Sequence, residues 1–204
     1  MTIADERTAL RNLVAGMAPF DEREANDRAL VLAWIDRGGE LYRRVPPDEP
    51  PQHLVTYFLP HDVGQDLLFL VAHRKAGRWL PPGGHVEPGE TPWATVLREA
   101  DEELAVIANP HPLIPAREPL FLTVTETVGP GQHTDCTLWF LIDLHPNDPM
   151  APDPGEFSDA GWFPRTEVAG WPAERTDPQM ARALAKLDAH IHAARAAGSG
   201  HAGR

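Results

Sequence analysis

Basic residues are scarce in this chain of 204, where 18 lysines and arginines stand against 30 aspartates and glutamates for a net charge of −12. No Lys/Arg run is longer than Arg43-Arg44 or Arg74-Lys75, which argues against a nucleic-acid polymer or an anionic membrane as partner. A small phosphate ester stays open, because a bound metal supplies local positive charge that the net charge conceals. Cysteine is almost missing. Cys136 stands alone, so there is no intrachain disulfide and no thiolate metal cluster, and without a visible base partner it reads as packing. Nowhere are there 18 consecutive apolar residues, and the opening MTIADERTAL carries acids where a secretion signal would be basic and then apolar. A cytoplasmic location is expected. No internal repeat is visible, and the length suits one medium domain plus an extension.

What the chain does have is the stretch Gly83–Val106, GGHVEPGETPWATVLREADEELAV. Thr91 is a good helix cap and Pro92 a good first helical residue, so a helix is predicted over about 92–104. At 100° per residue, Trp93, Val96, Leu97, Ala100 and Leu104 form an apolar stripe, and Glu99, Glu102 and Glu103 share a neighbouring face. Like charges at these spacings disfavour an isolated helix by roughly 0.2–0.5 kcal/mol per pair. A divalent cation reverses that sign, and Mg²⁺, which takes hard oxygen ligands with waters and phosphates, suits three carboxylates. A solvated acidic face is the other reading of the same residues. The preceding Gly83-Gly84 favours the ion, since backbone without side chains lets main-chain carbonyls approach it.

From Gly84 the spacing is G-x5-E-x7-R-E-A-x-E-E-x-A-V, which resembles the signature of the Nudix hydrolases at every fixed position except one. Ala105 stands where that family has glycine, at the turn leaving the helix, where a left-handed conformation costs alanine roughly 1 kcal/mol. The resemblance covers about residues 53–173. It implies an α/β/α sandwich with a mixed sheet and Mg²⁺ as cofactor, Mn²⁺ being the alternative ion. It also implies hydrolysis of a nucleoside diphosphate linked to another group. Carried over by position, Glu99, Glu102 and Glu103 are metal ligands with the Gly83 carbonyl, and Glu99 or Glu102 alternatively orients or deprotonates the water. Glu90 and Arg98 pair to fix loop to helix.

Around this stretch the chain reads as helices, then strands, then a helix. Residues 2–17 carry a broken apolar stripe of Ile3, Leu10, Leu13 and Val14. Asp21 with Glu24 has capping-box spacing, and Ala25, Ala29, Leu32, Ala33 and Ile35 continue a second helix that Gly38-Gly39 ends. The expected division is a helical extension at 1–45, a proline-rich linker at 46–52, the core with a closing helix at 53–197, and a flexible tail at 198–204. Lid, dimer surface and core packing are the three roles open to the hairpin. Strands are predicted at 53–59, 67–72, 119–128 and 137–144, the last two antiparallel and joined through Gly129-Pro130-Gly131, with a short one at Trp162-Phe163. Met180, Leu184, Leu187 and Ile191 face inward from a helix over 177–197.

Outside the signature the signals are weaker. Glu156, Asp159 and Glu126 are candidates for an extra carboxylate, against surface or turn roles. Arg74 and Lys75 are candidates for substrate phosphates, against a solvated hairpin turn, and His133 for a site role, against a local turn. Trp79 and Phe121 offer rings for a base, against core packing. His190 and His192, two apart on a helix, do not face each other. The expected substrate is a (d)NTP, oxidised forms included. ADP-ribose, a nucleotide sugar and a non-catalytic nucleotide sensor are the alternatives.

Overall fold

In the computed structural model the described residues are 2–44, 51–114, 117–127 and 132–199. Residues 46–50 of the linker expected at 46–52, the 129–131 turn and residues 200–204 of the tail expected at 198–204 lie outside them, whereas Gln52 already opens the first strand and the last helix runs to Ser199. The chain opens with α1 (Ile3–Gly16) and α2 (Glu22–Asp36), followed by β1 (Gln52–Asp62), β2 (Leu67–His73), β3 (Arg78–Leu80) and β4 (Gly83–His85). Then come α3 (Pro92–Leu104), β5 (Asn109–Pro110), β6 (Phe121–Glu126), β7 (Thr134–Asp143), β8 (Phe157–Pro164), α4 (Arg165–Val168) and α5 (Met180–Ser199).

β1 and β7 run parallel in register from Gln52↔Thr134 to His61↔Asp143 and form the spine of one mixed sheet. β4 and β2 pair antiparallel with successive parts of β1, β6 and β5 pair with β7, and β3 and β8 pair with β2. Both faces are covered, so the spine strands are buried almost throughout and their alternation divides side chains between two cores. Leu54, Phe58, Leu138, Phe140 and Ile142 join α1, α2 and α3 on one face. Leu59, Leu68, Leu70, Trp139 and Leu141 join Met180, Leu184, Leu187 and Ile191 of α5 on the other. This is the expected sandwich with its hairpin and closing helix.

The hairpin packs on the sheet, and its inward face differs from the one its alanines suggest. Ala25, Ala29 and Ala33 are exposed, as is Ile3, whereas Glu24, Asp27, Val31, Trp34 and Ile35 are buried. Two carboxylates therefore point inward. Glu24 explains itself: it accepts from Lys186 Nζ (2.8 Å), from the Leu122 N–H of β6 (3.1 Å) and from the Phe20 N–H (2.6 Å). The capping box is accordingly half formed. Asp21 receives the Glu24 N–H, but the Glu24 carboxylate is drawn into the core and does not return to the cap. Asp21 also takes a two-pronged contact from Arg182 of α5.

Candidate active site

α3 begins and ends where its residues dictate. Thr91 Oγ1 receives the Ala94 N–H, Pro92 fills the first turn, and Ala105 leaves the helix in the left-handed region at φ 55°, ψ 40°. Trp93, Val96, Ala100 and Leu104 are buried as predicted; Leu97 is exposed, because the neighbouring elements cover a narrower stripe than the sequence offers.

β4 is crowded on two sides, by the helix at Gly84 and by β1 at Gly83, so that both glycines are required. A Cβ on Gly84 would stand 2.0 Å from Glu99 Oε1, and one on Gly83, whose φ is +147°, would stand 2.1 Å from the Thr56 carbonyl. The Gly83 N–H instead donates to Glu103 Oε2 at 2.8 Å. Two carboxyl groups thus rest on the Gly83-Gly84 backbone. The C-terminal end of α3 is closed by the Ala151 and Asp153 N–H groups, which donate to the Leu104 and Glu103 carbonyls at 2.8 Å each. That docking delivers the turn carrying Glu156.

Arg98 organises the loop. Its guanidinium donates to both oxygens of Glu90 (2.8 and 3.1 Å), to Glu99 (2.8 Å), to Glu102 (3.1 Å) and to the His85 carbonyl (3.1 Å). Such a bidentate pair fixes position as well as charge. Burial alone would raise Glu90, but hydrogen bonds from Arg98 and from Thr95 Oγ1 (2.8 Å) hold it below its ordinary value.

The glutamates face an opposite balance. Burial is the main force pushing Glu103 up to about 9, with the charges of Glu99, Glu156 and Glu102 adding to it against the Gly83 hydrogen bond. Glu99 is likewise raised, first by burial, while Arg98 opposes and Glu102 and Glu156 add. Negative charge is crowded here beyond what Arg98 relieves, and the donors are hard carboxylate oxygens. Those are conditions that fit a divalent cation of the Mg²⁺ class. Glu102, whose side chain is 60% exposed, projects from the same site into solvent.

The other candidates scatter. Glu156 bears electrostatically on both Glu99 and Glu103, whereas Asp159 is exposed on β8, accepting the Ala160 N–H, and Glu126 is exposed at the end of β6. Arg74 donates its N–H to the Glu156 carbonyl (2.9 Å) and its Nε to the Pro154 carbonyl (3.0 Å), so it braces the turn that carries Glu156. Lys75 is exposed in the adjoining turn. A shallow, open cavity of about 300 Å³ of mixed polar and apolar lining lies here, bounded by His73, Arg74, Arg78 and Trp79. Trp79 meets Phe163 and Trp171 edge-on, and Phe121 is fully buried beside Trp139, which removes Phe121 as a ring for a base. His133 stacks on His53 instead of joining the glutamates. Sequence reasoning missed Thr95 and the 151–153 docking; the former carries a spacing signal, five residues from Glu90, and the latter carries none.

Comparisons with known proteins bear on the family and the fold. A family model described as the NUDIX domain matches residues 42–187. The chain is 33% identical over 90 residues to an uncharacterized Nudix hydrolase, orf19, of Rhodococcus erythropolis, covering 42% of this chain and 45% of that protein. It is 46% identical over 44 residues to an asymmetrical bis(5'-nucleosyl)-tetraphosphatase of Sus scrofa, covering 22% and 30%. The chain thus spans less than half the length of these two relatives. Among solved structures, the MutT protein of Methanosarcina mazei Go1 is similar with a TM-score of 0.57 at 18% identity, over 69% of this chain and 96% of that one. The E. coli dihydroneopterin triphosphate pyrophosphohydrolase gives 0.51 at 16%, over 71% and 95%. At these identities the likeness is one of fold.

Proposed function

The chain belongs to the Nudix hydrolases, which act on pyrophosphate bonds, and from that premise we propose that it is a Mg²⁺-dependent pyrophosphohydrolase of a free nucleotide, a (d)NTP or its oxidised form. One observation carries the reading: Glu99 and Glu103 converge on the Gly83-Gly84 backbone with Glu156 bearing on both, their acidity suppressed by burial and mutual repulsion. Glu99, Glu102, Glu103 and the Gly83 carbonyl are the proposed ligands, with Glu156 as a further carboxylate. Mg²⁺, or Mn²⁺ in its place, supplies charge neutralisation of the diphosphate and a more acidic water.

The chain's own groups do the rest. Where it does not ligate the ion, Glu102, held at one oxygen by Arg98 and otherwise in solvent, or Glu99 in its stead, is the group proposed to orient or deprotonate the attacking water. The water adds to phosphorus, the bridging P–O bond breaks, and the leaving phosphate departs with the electron pair. Arg98 and Glu90 keep the glycine loop fixed to α3 while this happens. The cavity beside Glu156 brings Arg74, Arg78 and Trp79 to the remainder of the nucleotide. The proposed setting is the cytoplasm, with neither a nucleic-acid polymer nor a membrane as partner, and the exposed side of the hairpin is the proposed face for a homodimer.

The test is phosphate and pyrophosphate release with Mg²⁺ from (d)NTPs, oxidised (d)NTPs, ADP-ribose, nucleotide sugars and, because of the 44-residue similarity to the Sus scrofa enzyme, dinucleoside tetraphosphates. Turnover of a triphosphate that Glu103→Gln abolishes supports the proposal. Turnover confined to ADP-ribose or a sugar nucleotide moves it to that class, and nucleotide binding with no turnover makes the protein a sensor. Hydrolysis in ¹⁸O-labelled water then identifies the phosphorus attacked.

A further inference from the structure

A second group of chemistry-bearing side chains gathers beside the first strand, built by sheet register and not by sequence proximity. Parallel pairing of β1 with β7 sets His53 beside Asp135, and antiparallel pairing of β1 with β4 sets Val55 beside His85. His133 immediately precedes β7. The His53 ring stacks on His133 with centroids 4.6 Å apart and lies 4.9 Å from the His85 ring. Asp135 Oδ1 stands 3.2 Å from both His53 Nε2 and His133 Nε2. One ligand atom from each of the four residues falls within 4.8 Å of every other.

Two features of this group are unexplained by folding alone. His53 is fully buried, yet neither of its ring nitrogens has a hydrogen-bond partner among the described residues, and neither has Asp135 Oδ1. Each such buried polar group left unsatisfied costs about 1–3 kcal/mol. A carboxylate oxygen facing two imidazoles at 3.2 Å without hydrogen-bond geometry is also the spacing of ligands around an ion. In a tetrahedral zinc site with bonds of about 2.0–2.1 Å, neighbouring ligand atoms lie about 3.3–3.4 Å apart. Both measured separations match that edge, and all four ligand atoms lie within 4.8 Å of one another.

We propose that His53, His85, His133 and Asp135 form a zinc site distinct from the carboxylate site on α3. Three imidazoles and one carboxylate favour Zn²⁺ over Mg²⁺, which seeks oxygen and retains its waters. Four protein ligands fill a tetrahedron, as in closed structural sites, so the ion ties together β1, β4 and the entry to β7. Asp135 supplies the negative charge, against the positive charge of nearby Arg43. His133 and Asp135, with side chains 19% and 23% exposed, form the entry side. Because the His85 carbonyl accepts from Arg98, an ion on the His85 ring also steadies the glycine loop that the glutamates rest on.

The full-length chain, freed of metal and then given Zn²⁺ alone, is expected to retain one zinc per chain by elemental analysis and to melt at a higher temperature. Co²⁺ in place of Zn²⁺ is expected to give the intense visible bands of a tetrahedral nitrogen–oxygen site. Glu103→Gln leaves the zinc content and the cobalt spectrum unchanged, while His133→Ala and Asp135→Asn each weaken binding by about 10–100-fold or more. If His133→Ala fails to fold, Asp135→Asn, which preserves shape, decides. No stoichiometric zinc, a pale octahedral cobalt spectrum, binding indifferent to Asp135→Asn, or binding abolished by Glu103→Gln would each overturn the site. None of these outcomes depends on whether the chain hydrolyses a nucleotide.

Discussion

Glu103 is the residue on which stability and the proposed chemistry pull hardest in opposite directions. Its carboxyl is raised from 4.5 to about 9 by burial and by neighbouring charges. The stability tied to its proton is therefore present in full below about pH 4.5 and is lost as pH rises through about 9 in metal-free protein. Glu103→Gln removes that slope. The metal-free variant is expected to melt higher than the parent at pH 8, by about 2–4 °C for each kcal/mol relieved, and to match it near pH 4.5. Scanning fluorimetry at the two pH values checks this; an equal difference at both would show an ordinary carboxylate. Hydrolysis with Mg²⁺ should fall by about 100-fold or more in the same variant. Ala105, at φ 55°, is the other informative residue. Ala105→Gly relieves left-handed strain and is expected to stabilise the protein by about 1 kcal/mol in urea denaturation, with activity unchanged.

Between elements, the links that matter are carried by charged groups removed from water. Glu24 of α2 and Lys186 of α5 are 1% and 7% exposed and sit 2.8 Å apart, with Glu24 also serving the backbone of β6. Glu24→Ala strands a buried ammonium and a buried N–H, so a loss of about 3–5 kcal/mol is expected, and the Glu24→Ala/Lys186→Ala pair should lose less than the sum of the singles. Asp21 reports on the same helix-to-helix contact at the surface. The hydrogen bond from Arg182 is the chief cause that lowers it from 3.8 to about 2, so its contribution is present above about pH 4 and disappears as pH falls towards 2. Asp21→Asn should flatten the acid limb of the stability curve over that window. At the loop, Arg98→Lys is expected to lose activity nearly as fully as Arg98→Ala, because an ammonium cannot reproduce the fork that spans Glu90, Glu99 and the His85 carbonyl.

Across the whole molecule, the hairpin and the catalytic core share one interior. Leu10, Val14, Val31, Trp34 and Ile35 sit in the same cluster as Leu54, Phe58, Val96 and Phe140. A chain starting at residue 51 would expose that face, and it is expected to aggregate or to show an open, dye-binding state in place of an active core domain. A soluble, cooperatively melting, active truncation would overturn this. The architecture was readable where periodicity is local. α3 with its cap and first proline, the β6–β7 pair and the inward face of α5 follow from patterns within about 25 residues. The inward face of α2 was not readable, because Glu24 and Asp27 are buried by partners from β6 and α5 that no local pattern announces.

The sequence by itself determined the family signature, the helix carrying three glutamates and the glycine pair that lets them approach the backbone, since all lie within one short stretch whose spacing sets its geometry, while the Glu90–Arg98 clasp was implied by the family resemblance. The tertiary structure alone decided that Glu156 bears on Glu99 and Glu103, because the Ala151 and Asp153 amides dock on the end of α3. It also decided that His53, His85, His133 and Asp135 meet, because parallel and antiparallel pairing along β1 brings together residues up to 82 positions apart. Spacing along a helix is fixed by the backbone, whereas strand register is fixed by which faces are buried, and that is settled only when the whole sheet forms.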